Sequence, residues 1–79
     1  MNTTTFIEGN TLTYVEAAEQ SGTPVSFVRD MARRFVIFSM RDDREWRVST
    51  AAPPFLRRLW ADLGTVNQSW YLSRSGGAA

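Results

Sequence analysis

The sequence predicts a small, mainly α domain carrying one β-hairpin, and three observations predict it. Two short stretches of helical character stand on either side of a Gly-Thr-Pro break at positions 22 to 24. Two β-prone runs, Val36-Ile37-Phe38-Ser39-Met40 and Glu45-Trp46-Arg47-Val48, bracket the turn-forming Arg41-Asp42-Asp43-Arg44. Behind them, Pro53-Pro54 opens a run whose apolar residues fall on one helical face.

Taken in order, residues 1 to 10 form an N-terminal arm, polar except for Phe6 and Ile7, which have the character of a short edge strand or of a loose end. Thr13 stands three residues before Glu16, the spacing of a capping box, so a first helix is expected over Tyr14 to Ser21, with Val15, Ala17 and Ala18 as its apolar face and Gly22 as its stop. Thr23 is the expected cap of the next helix and Pro24 its first residue. Val28, Met31, Ala32 and Phe35 then recur at the spacing of a buried stripe, which predicts a second helix over Val25 to Arg34. The hairpin follows. Phe55, Leu56, Leu59, Trp60 and Leu63 mark the third helix, ended by Gly64. Asn67 has the character of a cap for one further short turn with Trp70, Tyr71 and Leu72, and residues 73 to 79, SRSGGAA, read as a disordered tail behind a domain spanning 11 to 72.

Composition narrows the function classes. Seventy-nine residues make one module, and 43% apolar residues with three Trp, two Tyr and five Phe suffice for one core. With no cysteine and no histidine, disulfides, thiolate chemistry, the usual general base and the commonest metal ligands are all missing. A non-enzymatic protein without cofactor is therefore expected. Asp42, Asp43 and Glu45 read as an ordinary acidic turn, since a hard-cation site needs more oxygen ligands. No apolar run has the length of a membrane span, and MNTTTFIEGN lacks the basic-then-apolar layout of a signal peptide, so a cytoplasmic location is the default expectation.

Net charge is only +1, so nucleic-acid binding would have to come from the placement of the basic residues. All nine are arginine, a choice that suits bidentate contacts to phosphate or guanine and also fits GC-rich coding. Arg29, Arg33 and Arg34 share a helical face, to be read as a DNA-contacting surface or as the solvated side of an amphipathic helix. Trp46 and Trp60 are expected in the core. Together with Phe55, Leu56 and Leu59, the group Trp60, Trp70, Tyr71 and Leu72 exceeds what a three-helix module covers, which marks a protein or homodimer interface at the C-terminal end.

Helix, short turn, helix, hairpin, helix is the order of a winged helix-turn-helix, whose second helix enters the major groove while the hairpin lies along the backbone. LTYVEAAEQSGTPVSFVRDMARRFVIFSMRDDREWRV also resembles, without a gap, the small excisionase-type DNA-binding domains of the MerR-like superfamily. The likeness rests on Leu12, Thr13, Glu16, Ala17, Ala18, Gly22, Val28 and Trp46-Arg47-Val48. It implies sequence-specific duplex binding by a regulator of phage or mobile-element type. Ser26, Phe27, Arg29, Asp30 and Arg33 would then face the groove, with Arg29 as the base reader. Arg33, Arg34, Arg41, Arg44 and Arg47 would meet phosphates. The chain departs from that pattern at Phe35, where a glycine follows the second helix, at Phe38, where a proline precedes the wing, at Asp42-Asp43 in the wing turn, and at Asp30, where a basic residue is frequent. A second resemblance, carried by Glu45-Trp46-Arg47-Val48, Arg58-Leu59-Trp60-Ala61-Asp62-Leu63-Gly64 and Asn67, is to the chaperone-modulatory branch of the same superfamily. It implies an adaptor that binds a J-domain or another protein partner instead of DNA.

Overall fold

A computed structural model describes residues 11–43 and 45–78. It is mainly helical, with four helices and a three-stranded antiparallel sheet among the described residues, in the order β1 (Thr11–Thr13), α1 (Tyr14–Ser21), α2 (Val25–Arg33), β2 (Ser39–Asp42), β3 (Glu45–Ser49), α3 (Ala52–Leu63) and α4 (Thr65–Ala78). The segment around Phe6 and Ile7 lies outside the described residues; the strand Thr11–Thr13 joins the hairpin, paired with β3 so that Leu12 is opposite Val48. The sheet order is β1-β3-β2. Two threonines around one apolar residue suit a short strand that shows one side chain to the core.

The start and stop of α1 follow the sequence. The Thr13 hydroxyl accepts from the Glu16 N–H at 3.1 Å, and the Thr13 N–H donates to the Glu16 carboxylate at 2.9 Å, completing the capping box. Gly22, at φ +71, donates its N–H to the Ala18 carbonyl and closes the helix in the left-handed conformation that glycine adopts at little cost. Thr23 does not cap α2. Its hydroxyl lies 2.7 Å from that of Ser21 inside the turn, and Pro24 takes the cap position, one residue later than expected, its carbonyl accepting from Phe27 and Val28.

Helix α2 buries Phe27, Val28, Met31 and Ala32 and ends at Arg33. Phe35, expected on the buried stripe, is instead 91% exposed and sits at φ +61. It forms the helix's terminating turn: the Val36 N–H reaches back to the Met31 carbonyl at 2.9 Å and the Phe35 N–H to the Ala32 carbonyl at 3.1 Å. This reversal drops Ile37 into the core and leaves Phe38 outside. The hairpin therefore pairs later than expected, from Ser39, with Asp42 opposite Glu45. That register leaves a two-residue connection beginning at Asp43, whose φ of +55 is the left-handed conformation of primed hairpin turns and is tolerated by aspartate.

Val48 on β3, Leu56 on α3, and Phe27 and Val28 on α2 are wholly buried and form the centre of the core. Val15 and Trp46, both expected inside, are exposed. Trp46 shares the Val48 face of the strand but lies two residues nearer the hairpin tip, where it lines an open groove beside α2. At the C-terminal end the expected single turn and polar tail are replaced by α4, which continues to Ala78. Its anchor is Tyr71, whose ring meets Phe27 edge-on at 5.2 Å and lies 6.2 Å from Trp60, which in turn packs on Phe27 at 5.0 Å. Phe27 is thus the pivot on which α3 and α4 close.

Candidate nucleic-acid interface

Burial of Phe27 and Val28 on one side of α2 turns Arg29 and Arg33, one helical turn apart, to the outside. Both are exposed, and among the described residues neither takes part in an ion pair. Phe27 is itself removed from the expected groove-facing set, because a ring at 0% exposure has no face to offer a duplex.

The flank of α2 toward α4 is differently employed. The Tyr71 hydroxyl donates to Asp30 Oδ2 at 2.5 Å, and Arg34 Nε reaches the same oxygen at 3.1 Å. The Asp30 side chain keeps only 14% of its surface exposed. Burial first, and then the hydrogen bond to Asp30, raise the Tyr71 pKa, so the phenol stays protonated as donor. Ser26 donates its hydroxyl to the Tyr71 carbonyl at 2.9 Å, which sets it against α4. Of the five residues expected to face the groove, Arg29 and Arg33 therefore stand free on the surface, Asp30 is neutralised, Ser26 is half-buried and Phe27 is core.

The hairpin arginines divide in the same way. Arg47 is a strut of the sheet: it donates to the Thr11 hydroxyl at 2.8 Å and pairs with Glu45 at 2.9 Å. Arg41 remains exposed, its guanidinium 5.7 Å from the centre of the Trp46 ring and its Nε donating to the Asp43 carbonyl. Arg44 lies outside the described residues. Of the expected C-terminal interface, Trp70 and Leu72 are exposed, Trp60 is half-buried, and Tyr71 belongs to the core.

Two concavities flank the arginines. On the hairpin side is a groove of about 430 Å³, lined by Tyr14, Ala32, Phe35, Ser39 and Trp46 together with Arg29 and Arg33. On the α4 side is a small polar recess of about 90 Å³ to which Arg29, Arg33 and Arg74 all contribute. Arg74 lies over the Trp70 ring at 4.7 Å, and its place beside α2 is the element that sequence reasoning missed. Nothing local pointed to it, because the glycines that follow in the sequence read as a tail.

No protein-family model matches the chain, and no curated protein or solved structure is significantly similar to it. The residues alone carry the functional reading.

Among the described residues no cluster of carboxylates has the grouping of a metal site. None of the helices is long and apolar enough to cross a membrane, again among the described residues.

Proposed function

We propose that this chain is a winged helix-turn-helix module that binds duplex DNA, with α2 as its recognition helix and the β2–β3 hairpin as its wing. The observation that carries the reading is the charge of the outer face of α2. Arg29 and Arg33 project there without acidic partners among the described residues, while the acidic residue of the helix, Asp30, is turned aside and neutralised by Arg34 and Tyr71. A near-neutral chain thereby presents a local cationic face, which is what phosphate attraction and guanine readout require. Arg74 extends that face from α4, and Arg41 extends it along the hairpin. Phe35 adds a geometric argument: the left-handed conformation after α2 falls at the position where the excisionase-type pattern carries a glycine. Arg29 is the base reader in this reading, and Arg33, Arg34, Arg41 and Arg74 hold phosphates. So small a reader makes few base contacts, which favours cooperative neighbours or a dimer, with Trp70 and Leu72 as the exposed apolar contact.

The test is fluorescence anisotropy of a labelled duplex at several salt concentrations. Binding should weaken as a power of salt, with a slope of about 0.9 per phosphate contacted. Replacing Arg29 and Arg33 together by alanine should remove binding while leaving the circular dichroism unchanged, because both side chains are exposed. Undiminished binding by that double variant would refute the assignment.

One observation favours an adaptor that binds a basic protein surface: Asp42 and Asp43 stand exposed at the hairpin tip, where a phosphate backbone would repel them. Asp42→Arg with Asp43→Arg separates the readings. It should tighten duplex binding by a wing and destroy binding by an adaptor.

A further inference from the structure

We propose that the groove between α2 and the hairpin is a binding site for a planar aromatic anion, a ring that bears a carboxylate or a phosphate. Its volume of about 430 Å³ falls within the range of roughly 300 to 1,000 Å³ typical of small-molecule sites. The chemistry of the lining selects the ligand. Three aromatic side chains, Tyr14, Phe35 and Trp46, contribute to its walls, and rings prefer to meet other rings offset or edge-on. The charged groups in the lining are Arg29 and Arg33, both cationic, and among the described residues neither forms an ion pair. A guanidinium presents a planar fork of donors that matches carboxylate and phosphate oxygens in pairs. An apolar ring alone would leave those donors unused, and a bare anion would leave the aromatic walls wet.

The rim supplies a second, independent observation. Phe35 holds its ring 91% exposed from a backbone at φ +61, a conformation unfavourable for a bulky residue. In the free protein neither packing nor backbone preference accounts for a phenylalanine at this place. A ligand ring lying between Phe35 and Trp46 gives both side chains the apolar contact that the fold withholds. Ser39, at the start of β2, adds a hydroxyl that can donate to or accept from a ring substituent. The site does not depend on the duplex reading, because binding is measured without DNA; if the duplex reading also holds, ligand and duplex compete for the same two arginines.

The experiment is a titration of the full chain followed by two-dimensional amide and indole nuclear magnetic resonance. The probes are thymidine 5′-monophosphate and 4-hydroxybenzoate, with thymidine as ring without anion and inorganic phosphate as anion without ring. Saturable shifts of the Trp46 indole and of the Arg33, Phe35 and Ser39 amides are expected with at least one of the two aromatic anions. Thymidine and phosphate should each bind at least tenfold more weakly, and the indole signals of Trp60 and Trp70 should stay in place. Trp46→Ala and Arg33→Ala should each weaken the response tenfold or more. A tetranucleotide of thymidine that binds the same residues more tightly than the monophosphate identifies the ligand as part of a strand, and equal affinity identifies a free molecule. The proposal is overturned if neither aromatic anion shifts these residues at millimolar concentration, if phosphate alone does as well, or if the Trp46→Ala variant binds unchanged.

Discussion

Replacing Phe35 by glycine should stabilise the protein, an unusual outcome for removing an aromatic side chain. The ring is 91% exposed, so its loss surrenders little buried surface. The backbone at φ +61 holds an L-residue in the left-handed region at a cost of about 1 to 2 kcal/mol. Glycine escapes that cost but gains freedom in the unfolded chain, which gives back about 0.5 to 1 kcal/mol. At the middle of these ranges the balance is a net gain of about 0.75 kcal/mol, and with a urea dependence of about 1 kcal/mol per molar for a domain of this size the midpoint should rise by about 0.75 M. Both hydrogen bonds that close the turn, from the N–H groups of residues 35 and 36, survive the substitution because glycine retains its amide. Phe35→Ala keeps the strained backbone and loses only the exposed ring, so it should match the parent closely. Phe35→Asn should fall between the two, since asparagine tolerates the left-handed region. Urea unfolding followed by tryptophan fluorescence measures the series. A glycine variant less stable than the parent, or an alanine variant as stable as the glycine one, would refute the strain argument.

Three further outcomes follow from the packing. Tyr71→Phe removes a hydrogen bond to a charged acceptor and should cost about 1.5 kcal/mol, the low end for such bonds, because Asp30 keeps its contact with Arg34. The raised Tyr71 pKa means that the folded state holds this proton more tightly than the unfolded chain. Its stabilising effect is complete below the unfolded value near pH 10 and is lost as pH rises through the folded value, so alkaline unfolding should be less steep in Tyr71→Phe. Thr13→Ala breaks the capping box of α1 and should lower the unfolding free energy by about 1 kcal/mol, seen as a lower melting temperature. Leu56→Ala empties a wholly buried position and should cost about 2 to 5 kcal/mol. In a chain of this size that is enough to broaden or abolish cooperative melting by calorimetry.

The sequence by itself determined the elements whose causes are local. Thr13 and Glu16 cap a helix because they lie three residues apart, and Gly22 ends it because glycine accepts a positive φ; the aspartates marked a hairpin turn, but its two-residue length came with the pairing of Asp42 and Glu45. The alternation that buries Val48 and the helical spacing that buries Val28, Met31 and Ala32 were legible in the same way, whereas Phe27, expected on the groove face, is core because Trp60 and Tyr71 pack on it. Tertiary structure decided everything that depends on a partner distant along the chain. Trp46 has the apolar character of a core residue, but the fold leaves it exposed on the wall of the groove beside α2. Tyr71 was indistinguishable from its exposed neighbours Trp70 and Leu72 until α4 folded back on Phe27. Asp30 looked like a liability on the outer face of α2; a phenol 41 residues away and the neighbouring Arg34 draw its charge aside and leave Arg29 and Arg33 to define the surface. Spacing along a chain determines which side chains share a face, whereas burial and charge pairing are settled by what the fold brings against that face.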